Sequence, residues 1–154
     1  MDTLPYLERV KIQSEILLPL YRRLRDELGR ERTNELLRES VTEYATQLGE
    51  ATAATASGTS LEKLKTLMPA FAADDALDVE PLADNTEEFS INVKRCGYAE
   101  HFKSIGEPEF GAMVTCEIDP PMTSGIDQRL TLERSQTLMS QNKPCDFRWK
   151  LGGT

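Results

Sequence analysis

The hydrophobic period of this chain changes once, and that change fixes its class. Up to about residue 75 leucines recur every three or four positions, whereas from Leu77 onward apolar residues alternate with polar ones. The first spacing belongs to amphipathic helices and the second to half-buried strands. Leu17, Leu20, Leu24 and Leu28 form the first stripe; Pro19 should kink that helix or begin it afresh, and Gly29 is a stop signal. A second helix carries Leu37, Val41, Ala45 and Leu48 on one face, with Glu35, Arg38, Glu39 and Glu43 largely outside. Both stripes read as scaffold turned toward a core. Residues 49–60, GEATAATASGTS, are small and polar and read as a loop, the most mobile piece of the chain. Thr59 and Glu62 make a capping box, and Leu61, Leu64, Leu67 and Met68 continue a short third helix until Pro69.

In the second half, Phe89, Ile91 and Val93 alternate with Ser90, Asn92 and Lys94 as a strand, and Leu77 and Val79 supply its hairpin partner across Asp84-Asn85. A helix from Tyr98 to Ile105 is closed by Gly106. Another begins at Pro108, carries Phe110, Met113 and Val114, and is stopped by Pro120-Pro121. Leu130 and Leu132 mark a third strand; Cys145, Phe147, Trp149 and Leu151 mark a fourth, with Ser140 to Lys143 as the turn. The expected fold is α+β: a helical N-terminal half (1–75), then a β-β-α-α-β-β antiparallel sheet covered by helices (76–154). At 154 residues it forms a single domain, 1–154, with one core.

Charge narrows the partners. Twenty-six acidic against eighteen basic residues give a net charge of -8, without a compensating Lys/Arg stripe. Nucleic acid and anionic membrane surfaces are therefore excluded as partners. MDTLPYLERV lacks the basic and apolar runs of a secretory signal, and the apolar stretch Ile16 to Leu20 is too short to span a bilayer. Three widely spaced cysteines read as reduced thiols rather than a disulfide framework, which places the protein in the cytoplasm.

Those cysteines are the first candidates for chemistry. Cys96 lies where a strand ends and a helix begins, a position whose N–H groups and dipole favour a thiolate. Cys116 sits late in the Pro108 helix with Asp119 three residues on, and Cys145 falls on the inward face of the last strand. A buried cysteine is usually a small hydrophobe, so catalysis requires the three to converge on one pocket. Zinc is a competing use: Cys96, Cys116 and Cys145 with Asp119 or His101 supply the donor types, but gaps of twenty and twenty-nine residues lack the close ligand pairs of structural zinc. The sole histidine, His101, follows Cys96 by just over a helical turn; it is either an acid–base partner for a thiol or a surface residue. Arg134 shares a strand face with Leu130 and Leu132, where a fixed charge needs a carboxylate from Asp119, Asp146 or a substrate, unless it reaches solvent from the strand end. Thr137 follows it. Phosphate loops, GxSxG elbows and HExxH motifs are absent from the sequence.

Two stretches carry a resemblance. One is Arg95-Cys96-Gly97-Tyr98-Ala99-Glu100-His101-Phe102, with Ile105-Gly106, Pro108-Glu109-Phe110-Gly111 and Cys116-Glu117-Ile118-Asp119; the other is Leu132-Glu133-Arg134 with Thr137-Leu138, closing in Cys145-Asp146-Phe147-Arg148. Together they resemble the L-2-amino-thiazoline-4-carboxylate hydrolase family, with its C-x-(Y/F)-A, C-x-x-D and R-x-x-T-L…C-D-F segments, and more distantly the vinyl-4-reductase-type small-molecule-binding domains, some of which hold zinc through cysteines. The Leu18-Pro19-Leu20 to Glu27-Leu28-Gly29 helix is similar to the family's front half. Where similar sequences have a glycine and an acidic residue before the last cysteine, this chain has Gln141-Asn142, and Asn tolerates the left-handed turn that glycine serves.

The resemblance implies hydrolytic opening of a cyclic amidine, a non-peptide C–N hydrolase acting on a 2-amino-thiazoline-4-carboxylate, without a required cofactor. Cys96, Cys116, Cys145, Asp119 and His101 are then the catalytic candidates, by thiolate addition or by base-activated water, and Arg134 and Thr137 would bind the substrate. The alternative is a non-catalytic small-molecule-binding or zinc-stabilised module of the same fold. A third reading gives the N-terminal leucine stripes to a homodimer or other subunit contact.

Overall fold

The computed structural model describes residues 4–152. Helix α1 (Tyr6–Leu28) turns at Gly29 into α2 (Arg30–Thr55), followed by the short α3 (Ser60–Lys65) and α4 (Met68–Ala72). Strands β1 (Leu77–Asp84) and β2 (Glu88–Cys96) form a hairpin whose turn is held by Asn85, which accepts the N–H groups of Glu87 and Glu88. Then come α5 (Gly97–Ser104), α6 (Pro108–Gly111) running into a π-helical turn (Ala112–Cys116), and α7 (Asp119–Ile126). Strand β3 (Leu130–Glu133), α8 (Leu138–Gln141) and β4 (Cys145–Leu151) complete the chain. All pairings in the four-stranded sheet are antiparallel, in the order β1-β2-β4-β3. The α+β class and the helical first half are therefore as the sequence reads them. The capping box of Thr59 and Glu62 forms as expected, and Asn142 takes the left-handed conformation, φ 57° and ψ 33°.

Four expectations are corrected. First, α1 runs unbroken through Pro19, whose ring faces solvent. Second, its buried side is Val10, Ser14, Leu18 and Tyr21 rather than the leucine stripe, about 100° away round the helix. Ile12, Leu20 and Leu28 are half exposed and Ile16 is 74% exposed. Tyr21 decides the rotation: its hydroxyl donates to Asn34 of α2 at 2.6 Å and its ring packs on Phe110, giving a polar-tipped aromatic a better seat than a leucine.

Third, residues 49–55 are helix, not loop. Their small side chains are an approach surface. A Cβ on Gly49 would stand 2.2 Å from the Met122 carbonyl oxygen, and one on Gly125 would stand 2.4 Å from that of Thr46. Helices α2 and α7 thus cross with backbones nearly touching, which only glycine permits. Fourth, Pro120 and Pro121 do not stop a helix; they occupy the first turn of α7, where a missing N–H costs nothing. The order after the hairpin therefore includes this further helix before β3, and the link expected as a Ser140–Lys143 turn holds the short α8 between β3 and β4.

Two clusters make up the interior. One lies between the sheet and α2, α3 and α7, with Leu61, Leu64, Ile91, Val93, Ile118, Met122 and Trp149. The other is built by α1, α5, α6 and α8 around Tyr21, Phe102, Phe110 and Met113.

Candidate functional site

The sheet-side cluster is not filled. A cavity of about 80 Å³ opens in it. Its floor is set by strand register: Ile91 pairs with Phe147 and Val93 with Cys145, so one face of β2 and β4 runs from a thiol to stacked aromatic rings. Phe147 and Trp149 stack at 4.9 Å, and Trp149 donates its indole N–H to Thr123 of α7 at 3.0 Å. Leu64 from α3, Leu67 from the link and Met68 and Phe71 from α4 form the roof. At the other end Cys96, Cys116, Asp119, Arg134, Thr137 and Cys145 line the same space. Six of the sequence candidates therefore share one cavity.

Each thiol is seated differently. Cys96 ends β2 and caps α5, its sulfur accepting the Ala99 N–H at 3.5 Å. Cys145 opens β4 and accepts the Leu138 N–H at 3.3 Å. Cys116 closes the π-helical turn, its sulfur 3.7 Å from the Thr115 hydroxyl. Burial nonetheless pushes all three thiols up, Cys116 to about 12 with the Asp119 charge adding to the effect. The helix-start stabilisation expected at Cys96 is present as a hydrogen bond but loses to desolvation. None of the three rests as a thiolate near neutrality.

Asp119 and Arg134 provide the charge. An Arg134 guanidinium nitrogen donates to the Asp119 carboxylate at 2.6 Å, and another donates to the Cys116 carbonyl at 3.0 Å. The guanidinium also lies over the Phe147 ring, 5.1 Å from its centroid. Both side chains retain some contact with solvent, 13% for Arg134 and 17% for Asp119. Burial raises the Asp119 carboxyl to about 6 despite the opposing pull of Arg134. Its place depends on the π-helical turn, a feature common at functional sites, and on the α2–α7 crossing that sets α7 against the sheet.

Asp146, an expected partner for Arg134, does something else. Strand alternation turns it away from Cys145, and there it accepts the backbone N–H groups of Ser135 and Gln136, each at 2.9 Å, together with the Ser135 hydroxyl. It fastens the segment between Arg134 and Thr137 to the start of β4. Thr137 caps α8, accepting the Ser140 N–H at 3.1 Å. The paired R-x-x-T-L and C-D-F segments are thus one folded unit that fixes Arg134. His101 stands apart from the cavity, edge-on to Phe102 and beside Lys11 and Glu8 of α1; burial and Lys11 hold its imidazole below the usual range. Sequence reading missed Phe71, Met68 and the aromatic floor as site residues, although the Phe147–Trp149 alternation was a signal for the floor.

Among the described residues no group of three or more His, Cys, Asp or Glu comes together in a metal-holding cluster.

With this geometry in place, likeness to known proteins becomes informative. The sequence model of the L-2-amino-thiazoline-4-carboxylic acid hydrolase family matches residues 9–149. The chain belongs to that family. The match takes in every cavity-lining thiol as well as Asp119 and Arg134. No curated protein matches the sequence. Among solved structures, the phenol-responsive sensory domain of the transcription activator PoxR, determined with phenol, is similar with a TM-score of 0.56 at 16% identity, over 98% of this chain and 76% of that one. A trafficking protein particle complex subunit 3 from Naegleria fowleri, covalently bound to palmitic acid, is similar with a TM-score of 0.50 at 14% identity, over 93% of this chain and 97% of that one. At such identities the likeness is one of fold.

Proposed function

We propose that this chain is a hydrolase of a small cyclic amidine of the 2-amino-thiazoline-4-carboxylate type. The observation that carries the reading is the Asp119–Arg134 pair at the thiol-lined end of a half-buried cavity, in a chain of the hydrolase family. Water, rather than a cysteine, is the nucleophile. Burial leaves every thiol protonated near neutrality, while a carboxyl near 6 is a base matched to that range. Asp119 takes one proton from water as the water oxygen adds to the ring carbon between nitrogen and sulfur; the carbon–nitrogen double bond opens, and the adduct's remaining hydroxyl proton passes to that ring nitrogen as the carbonyl forms. Collapse of the adduct breaks the ring carbon–sulfur bond, while the carbon–nitrogen bond of the cyclic amidine is hydrated and kept; the sulfur takes the proton from Asp119 and leaves as a thiol, and a urea remains on nitrogen. Arg134 has used only part of its N–H fork on Asp119 and the Cys116 carbonyl, so the rest serves the substrate carboxylate, with Thr137 beside it. Cys96, Cys116 and Cys145 shape and dry the pocket.

The test is direct. Purified protein incubated with 2-amino-thiazoline-4-carboxylate should yield the N-carbamoyl cysteine product, read by NMR. No turnover between pH 5 and 9 would sink the hydrolytic reading.

A second reading, a non-catalytic ligand-binding module, is favoured by the largely apolar lining. The fold likenesses determined with phenol and with covalently bound palmitic acid support it. Three unpaired thiols fit a reducing cytoplasm, and no described helix is long and apolar enough to cross a membrane. The exposed face of α1 is the surface through which a homodimer would form.

A further inference from the structure

The cavity is longer and more apolar than a single small polar ring requires. Along β4, Cys145, Phe147 and Trp149 point the same way, so its floor extends about 14 Å from thiol to indole at ~3.4 Å per residue. Every charged group sits at one end. Asp119 and Arg134 neutralise each other there, and the three thiols surround them. Beyond Phe147 the lining consists of Ile91 and Trp149 below and Leu64 and Leu67 above, α3 packing on β4 there while Phe71 lies back toward Tyr98 and the thiols. The Tyr98 hydroxyl, which also borders the cavity, already donates to the Phe71 carbonyl at 2.9 Å, and the Trp149 N–H is taken by Thr123. With the Trp149 N–H engaged, the end beyond Phe147 offers a ligand rings and methyl groups.

A bare aminothiazoline carboxylate carries polar atoms around its whole edge. Held by Arg134 and Asp119, it would leave the aromatic end without contacts, and unfilled apolar space forgoes both transfer and dispersion energy. We infer that the ligand of this site is amphipathic: a small polar head on Arg134 and Asp119, joined to an aryl or branched-alkyl group lying between the Phe147–Trp149 floor and the Leu64–Leu67 roof. The amidine reading enters only in naming the head; the apolar arm stands on the geometry alone.

Trp149 is the sole tryptophan of the chain and lies at the apolar end, so its emission reports occupancy there. The experiment titrates the protein with 2-amino-thiazoline-4-carboxylate and with its 5-phenyl derivative, measuring affinity by calorimetry and Trp149 emission in parallel, and hydrolysis by NMR. The phenyl compound should bind at least about tenfold more tightly, as a buried ring allows, and should alone shift the emission. Leu67→Phe, which fills the roof over the apolar end, should erase the phenyl compound's advantage over the unsubstituted ring. Equal affinities, preference for the unsubstituted ring, binding of neither compound, or a preference that Leu67→Phe leaves intact overturns the inference. A phenyl preference without turnover of either compound upholds it and removes the hydrolytic reading instead.

Discussion

The two cores of this molecule are packed to opposite standards. On the helix side, Tyr21, Phe102 and Phe110 interlock with ring centroids 5.3 and 5.8 Å apart, and a Cβ added to Gly111 would meet Phe102 at 2.5 Å. Its polar groups form a chain in which Tyr21 donates to Asn34, Asn34 donates to Glu109, and Arg30 pairs with Glu109 at 2.6 Å. On the sheet side a cavity of about 80 Å³ stands open. At roughly 24 cal/mol per Å³ of void, that space forgoes about 2 kcal/mol of packing. A domain this small tolerates that loss because the other core is so close-packed. Stability is concentrated where the helices meet, and chemistry where the sheet is left uncovered.

That division is broken most severely by Phe102→Ala, which empties the tight core. It should cost about 3–5 kcal/mol in denaturant unfolding, and the protein that remains folded should keep its ligand affinity. If affinity falls in step with stability, the two cores are one unit. Asp119→Asn makes the converse test. Turnover should drop by about 10²–10⁴-fold with the unfolding midpoint maintained or raised at neutral pH.

The same residue sets the pH dependence. Its folded carboxyl lies near 6, above its ordinary value, so it contributes stability in full below the unfolded range. That contribution is lost as pH rises through about 6. Stability should therefore fall from pH 4 to 7 more steeply in the wild type than in Asp119→Asn. Turnover should rise over the same interval, with an acid limb near 6 that the variant lacks.

Smaller effects sharpen the contrast further. Leu67→Phe should leave stability unchanged or raise it by up to about 1 kcal/mol, since it occupies space the sheet-side core leaves empty. Ile16→Glu, on the exposed face of α1, should shift stability by less than about 0.5 kcal/mol. Sedimentation should show it converting a homodimer to a monomer; a wild type already monomeric would remove that role from α1.

Sequence periodicity was a good guide wherever one face of an element is apolar and the other polar. The β1–β2 hairpin, the Thr59 cap and the inward turn of Cys145 were legible for that reason. It failed where contact chemistry overrides hydrophobicity. Leu17 and Leu20 outscore Ser14 and Tyr21 on any apolar scale, yet the Tyr21–Asn34 bond turns α1 the other way. Gly49 and its small neighbours resemble a breaker until α7 is seen pressed against them. Of the site, the residue types were visible one by one, but the convergence of Cys96, Cys116, Asp119, Arg134 and Cys145 lies beyond local pattern, because it depends on long-range strand register. The raised thiols were not legible at all: a helix start can be read from spacing, whereas desolvation depends on everything packed around it.

The π-helical turn at Ala112–Cys116 has an evolutionary corollary. A wide turn of this kind is an ordinary helix carrying one surplus residue. Excising a single residue from it would re-phase all that follows by about 100°, swinging Cys116 and Asp119 off the cavity while leaving the composition almost untouched. Among relatives, a one-residue gap at this point would therefore separate chains that keep the Asp119–Arg134 pair from chains that share only the scaffold.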